Sequence, residues 1–196
     1  MNAKGDANRS VRLTKRRLSE ALVTLLAQKP AREITVRELT TTAGVSRGTF
    51  YFHYCDIYDL LEKLETEQLE ALHNVTDGVL ASLDSEAPPT TLEAMFGYLE
   101  ENEALCAALL GPHGDPAFVQ RLKKTIEKQV VGYFVEPGQE GDARGKYLAG
   151  FAVSGCLGSV EKWLQDGKPC TPHEMACLTW QAVRAVRHMP AANEIS

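Results

Sequence analysis

The chain has 196 residues, 44% of them hydrophobic and 24% charged, and a net charge of −5. That is ordinary for a soluble globular protein, with room for one medium domain or a small one joined to a larger one. Its five cysteines (Cys55, Cys106, Cys156, Cys170, Cys177) are odd in number and lack a C-x-x-C, the polar opening holds no signal peptide, and the longest uncharged apolar run, 147–160, falls short of the ~18 residues of a membrane span. A disulfide scaffold and a membrane protein are therefore excluded, and a cytoplasmic location with reduced thiols is expected.

In chain order, 1–9 reads as a disordered polar arm. Val11–Gln28 is an amphipathic helix with Leu18, Leu22, Leu25 and Leu26 on its apolar face and Lys15, Arg16 and Arg17 near its start; Pro30 ends it. Thr35, three residues before Glu38, makes a capping box that opens a second, short helix. Gly44 suits a left-handed helix end, and Ser46 can cap a third helix running to Tyr54. A long helix starts near Asp56 and reaches about Leu83, followed by a linker over Ser85–Pro89. Thr90 and Glu93 open a helix to about Leu110, and Asp115-Pro116 one to about Phe134. After a loop over Pro137–Gly141 come a helix over Asp142–Gln165, a turn at Gly167–Cys170 and a last helix from the Thr171–Glu174 capping box to about His188. With no strand alternation anywhere, the fold class is all-α: a three-helix helix-turn-helix unit over 10–60, with the linking helix from about 56, then a larger helical body over 61–190.

Two short helices joined by a tight turn place the N-terminal residues of the second against base edges in a major groove. Met1–Cys55 holds ten Lys/Arg against four Asp/Glu, a net +6; the remainder holds eleven against twenty-two, a net −11. A basic head on an acidic body is the footprint of a protein that meets phosphate at one end. Terminal charge runs are also often only solvated, so the asymmetry supports the motif rather than standing alone.

The segment I-T-V-R-E-L at Ile34–Leu39, A-G-V-S-R-G-T-F-Y at Ala43–Tyr51, and His53-Tyr54 followed by Tyr58–Leu61 resembles the DNA-binding domain of the tetracycline-repressor (TetR) family. The resemblance implies a transcriptional regulator, most simply a repressor, bound to a palindromic double-stranded operator. It implies phosphate contacts from Thr49, Tyr51 and His53, with Tyr51 alternatively on a thymine methyl, and base contacts from Arg37 and Arg47. Guanidinium reads guanine bidentately, and hydroxyls near a helix start suit phosphate. Lys15, Thr35, Ser46 and Gly48 complete the candidate DNA-binding set. Competing readings stand beside these: His53 as a packed neutral histidine, Arg37 paired with Glu33, and Phe50 in the core with a face of Phe52 or Tyr54. The chain departs from the family at Cys55 and Ile57, where basic residues are usual, and at Thr40–Thr42, whose β-branched run weakens a helix. Fewer phosphate contacts imply a shallower salt dependence unless Lys15, Arg16 and Arg17 compensate.

In the body, Phe96, Tyr98, Leu99 and Asn102, then Leu109-Leu110-Gly111, and Trp163-Leu164 before Gly167 and Pro172 resemble the branch of the family that regulates dihydroxyacetone-kinase operons. Gly150, Ser154 and Gly158 recur every fourth residue, which lets another helix approach closely. The family's homodimer implies an interface of these with Trp163, Leu178 and Val183; packing against the helix from Asp115 is the intrachain alternative. Family members with this architecture often hold a small-molecule effector, for which Met95, Tyr98, Leu99, Leu105, Phe118, Leu122, Tyr133 and Phe151 are candidate pocket walls, each equally readable as plain core. The alternative is an activator or co-regulator controlled by a protein partner. Cys170, His173 and Cys177 are too few, and too loop-bound, to make a zinc site, so no metal or cofactor is expected. With no Gly-rich phosphate loop, nucleophile elbow or metal-catalysis motif, an enzyme is not expected either. The rival from another class is a non-DNA helical interaction module.

Overall fold

The computed structural model describes residues 3–76, 88, 90–135 and 143–189, and its regular structure there is helical. In order these are α1 (Ala3–Leu26), a 3-10 turn (Ala31–Glu33), α2 (Val36–Ala43), α3 (Arg47–His53), α4 (Ile57–Thr76), α5 (Thr90–Glu101), α6 (Glu103–Leu110), α7 (Pro116–Phe134), α8 (Ala143–Gln165) and α9 (Pro172–Arg187). The all-α expectation holds. Two details differ. Helix α1 extends back to Ala3, into the stretch expected as a disordered arm. The helix expected over 90–110 is two, parted at Asn102, whose side-chain amide donates to the Tyr98 carbonyl at 2.9 Å, a local bond that competes with helix continuation. The reach of the fourth helix past Thr76, the linker apart from Pro88, and the loop at 137–141 lie outside the described residues.

The chain divides into two compact units, Met1–Glu70 with Ala104–Phe118, and Ala71–Glu103 with Val119–Ser196. In the first, α1 packs along α2, and α2 meets α3. Leu18, Leu22, Leu26, Leu39, Phe50 and Leu60 are its most deeply buried apolar side chains. Their spacing on α1, i, i+4 and i+8, is the apolar stripe that the periodicity required.

In the second unit, α9 packs against α5 and α8. Phe96 meets Trp163 edge-on with centroids 5.6 Å apart. The Trp163 indole N–H donates to the Cys170 carbonyl at 2.8 Å, fixing the turn between α8 and α9. That turn needs two left-handed residues, Gly167 (φ +75°) and Lys168 (φ +59°). Lys168 is held there by Glu103 at 2.6 Å. The Thr171–Glu174 capping box then starts α9 as expected, with both reciprocal bonds present and Pro172 in the first turn.

Candidate nucleic-acid interface

Thr35 caps α2 by accepting the Glu38 N–H at 3.2 Å. The Glu38 carboxylate in turn receives Lys29 Nζ at 2.7 Å, which ties the end of α1 to the first turn of α2 and holds the Glu38 carboxyl below its ordinary range. The three threonines that weaken α2 are partly accommodated by it: Thr40 donates to the Val36 carbonyl at 2.8 Å and Thr41 to that of Arg37 at 2.8 Å. Gly44 ends the helix at φ +64°, its N–H returning to the carbonyls of Thr40 and Thr41. This left-handed residue makes the tight turn, and Ser46 at once caps α3 by accepting the Thr49 N–H at 3.0 Å.

Helix α3 divides cleanly. Phe50 is fully buried and Tyr54, just past the helix end, nearly so, which anchors the helix to the head. Arg47 and Gly48 are exposed, and Tyr51 is 59% exposed. Phe52 is 80% exposed; of the two residues named as core alternatives, Tyr54 takes the place and Phe52 faces outward, because its position points opposite Phe50 on the helix. An aromatic run does not reveal which of its rings is anchored, and packing selects Tyr54 from the two. His53 is half-buried, its ring edge-on to Phe52 at 5.0 Å.

The other candidates are distributed as follows. Arg37 is exposed, and Glu33 lies 3.6 Å from Arg32, so the alternative pairing with Arg37 is not formed. Thr49 is half-buried and its hydroxyl shares a hydrogen bond with that of Ser46 at 2.8 Å, a bond a phosphate would have to join or replace. Lys15 and Arg17 are exposed; Arg16 is engaged with Glu20 at 2.7 Å. At Ile57, where the family commonly has a basic residue, the apolar side chain is buried. At Cys55 the backbone N–H donates to Asp59 at 2.8 Å, and Asp56 caps α4 by accepting the Asp59 N–H at 2.9 Å.

The body residues separate likewise. Ser154, Gly158 and Leu178 are exposed. Gly150 is half-buried, and a Cβ there would stand 3.7 Å from Glu127 of α7, so it faces its own chain. Trp163 is buried against Phe96 and belongs to the intrachain core instead of the expected interface, while Val183 is half-buried and packs on the Tyr133–Phe134 cluster. Tyr147 and Phe151, 80% and 66% exposed, join Ser154 and Gly158 on one stripe of α8. Phe151 is therefore not an inner pocket wall. Leu99, Phe118, Leu122 and Tyr133 are buried, and Met95, Tyr98 and Leu105 half-buried. Leu105 and Phe118 belong to the first unit and the other six candidates to the second. Among the described residues the buried Tyr133 hydroxyl has no hydrogen-bond partner. Burial pushes the thiols of Cys106 and Cys156 up to about 11, which lowers the thiolate available to react. Among the described residues no group of His, Cys, Asp and Glu could hold a metal, and no helix is long and apolar enough to cross a membrane.

Known proteins resemble this chain in both halves. Residues 18–64 match the family described as bacterial regulatory proteins, tetR family, and residues 86–184 match that described as the transcriptional regulator C-terminal region. YxbF, an uncharacterized HTH-type transcriptional regulator of Bacillus subtilis (strain 168), is 21% identical over 174 residues, which is 87% of this chain and 44% of that protein. The chain thus spans under half the length of that relative. A TetR transcriptional regulator from Streptococcus agalactiae 2603V shares the fold at a TM-score of 0.61, with 21% identity over 92% of this chain and 98% of the other. The dihydroxyacetone kinase operon activator DhaS matches at 0.54, with 13% identity over 88% and 94%. FadR from Bacillus subtilis, in complex with stearoyl-CoA, matches at 0.57, with 12% identity over 89% and 98%.

Proposed function

The chain belongs to the TetR family of bacterial regulatory proteins, and on that premise we propose that it is a homodimeric repressor that binds a palindromic operator and is released by an effector held in its C-terminal body. The observation that carries the DNA-binding reading is α3 itself: capped by Ser46 across the Gly44 turn, anchored by Phe50, and offering Arg47, Gly48 and Tyr51 on its exposed side. The net +6 of residues 1–55 supplies the field that holds such a head on phosphate. In this reading 10–60 contacts DNA, with Arg47 and Arg37 on bases and Lys15, Thr49, Tyr51 and His53 on the backbone, while 61–190 dimerises and senses.

The exposed stripe of Tyr147, Phe151, Ser154 and Gly158 on α8, with Leu178 on α9, supports the homodimer. Large rings beside small residues on a solvent face suit a helix-to-helix interface. The Tyr133 hydroxyl supports the effector, since an unpaired buried donor is costly and a bound acceptor would satisfy it. FadR, solved with stearoyl-CoA, supports a small-molecule effector by analogy. The likeness to DhaS, described as an activator, favours a second reading, in which a protein partner controls activation.

The test is fluorescence-anisotropy binding of the purified chain to the duplex upstream of its own gene, at two salt concentrations, against a scrambled duplex. The upstream duplex should bind more tightly, and salt should weaken it. Equal binding to both would remove the self-regulated operator and bring the partner-controlled reading forward.

A further inference from the structure

At the start of α9, three side chains outside the DNA-binding head stand in a row. The Glu93 carboxylate of α5 lies 3.1 Å from His173 Nδ1, and His173 Nε2 lies 3.6 Å from Cys177 Sγ. A carboxylate on Nδ1 favours the tautomer with its proton there, which leaves Nε2 free to accept the thiol proton. Base and nucleophile within reach, with the base oriented by a third group, is the arrangement that activates a nucleophile. We propose that Cys177 is a covalent modification site for soft electrophiles of the α,β-unsaturated carbonyl class, with His173 taking the thiol proton and Glu93 orienting His173.

The reaction needs no other reagent. The proton leaves Cys177 Sγ for His173 Nε2, and the thiolate sulfur bonds to the β-carbon of the acceptor. The alkene pair shifts onto the α-carbon and carbonyl, and the imidazolium returns its proton to the α-carbon. Every atom of both reactants is kept in the thioether.

The five thiols are not equivalent. Cys106 is buried, and Cys156, half-buried like Cys177, has its thiol pushed up by desolvation to about 11. Cys55 and Cys170 are exposed, yet the contact between an imidazole and a thiol is made at Cys177. Cys177 is half-buried, but His173 and Glu93 are 64% and 49% exposed, so a small reagent can reach the row. Another charged group at this corner is Glu174, whose carboxyl the Thr171 backbone N–H and hydroxyl hold low and His173 lowers further. Leu178, proposed for the dimer face, is one residue on and about 100° round the helix from Cys177.

The experiment is limiting N-ethylmaleimide on the full-length protein near pH 7, with the rate at each cysteine read by peptide mass spectrometry. Cys177 should react about tenfold faster than Cys170, the gain expected from a base within reach of the attacking thiol. His173→Gln should bring Cys177 down to the Cys170 rate. Glu93→Ala should slow it several-fold, and Glu93→Gln, which keeps an acceptor for Nδ1–H, should recover part of the loss. Continued protection of the buried Cys106 in each variant reports an intact fold. A Cys177 rate no higher than that of Cys170, or one unchanged by His173→Gln in a folded protein, would overturn the proposal.

Discussion

Lys29 and Glu38 close on each other at 2.7 Å, joining the end of α1 to the first turn of α2. Because Lys29 holds the folded-state carboxyl of Glu38 below its ordinary range, the unfolded chain takes up the proton first as pH falls. The contribution is therefore full above the unfolded value, near pH ~4.3, and is lost as pH drops through the depressed folded value. Glu38→Gln should lower the melting temperature at pH 7, and the difference from wild type should shrink to nothing at the acid end. Circular-dichroism melts between pH 3 and 7 test this; a constant offset across that range would contradict it.

Two glycines four residues apart should behave oppositely. Gly44 has φ +64°, so Gly44→Ala should cost roughly 1 kcal/mol although its Cβ meets nothing. Gly48 lies within α3, where a Cβ would meet only Ser46 Oγ at 3.7 Å, so Gly48→Ala should leave stability equal or raise it by up to ~1 kcal/mol. If α3 lies close against DNA, the same change should weaken operator binding. Urea unfolding and anisotropy on both variants separate the effects, and unaltered operator affinity in Gly48→Ala would remove Gly48 from the contact surface.

Arg47 and Lys15 should also differ. Arg47→Ala should reduce the preference for operator over scrambled duplex by ~1–3 kcal/mol, the range for one bidentate base contact. Lys15→Ala should weaken both duplexes alike and reduce the salt slope by about one. Titrations at several salt concentrations distinguish these patterns, and uniform weakening by Arg47→Ala would move Arg47 from base readout to the backbone.

On the body, Phe151→Glu should dissociate the proposed dimer while leaving the fold intact, because Phe151 is 66% exposed. Trp163→Ala should do the reverse, costing ~3–5 kcal/mol of stability through the cavity left against Phe96. Sedimentation velocity with thermal melts tests both. A Phe151→Glu protein that stays dimeric at micromolar concentration would place the interface elsewhere.

The caps, turns and helix order of this protein were legible in the chain because each rests on local chemistry. Thr35, Ser46 and Thr171 cap the helices they precede, Gly44 sits where a left-handed residue is required, and the leucines of α1 repeat at the helical period. What the sequence left open was which way individual side chains point once helices pack. Phe50, Phe52 and Tyr54 are interchangeable by composition, yet two are anchored and one is 80% exposed. The small-residue repeat on α8 looked like one stripe, but four residues overshoot a helical turn by ~40° each time, so Gly150 rotates inward while Ser154 and Gly158 stay out. Glu93 meets His173 across eighty positions, and no spacing rule within either helix announces it. Local hydrogen bonding and periodicity are encoded residue by residue; the partner of an exposed-looking side chain is decided only when a distant helix packs beside it.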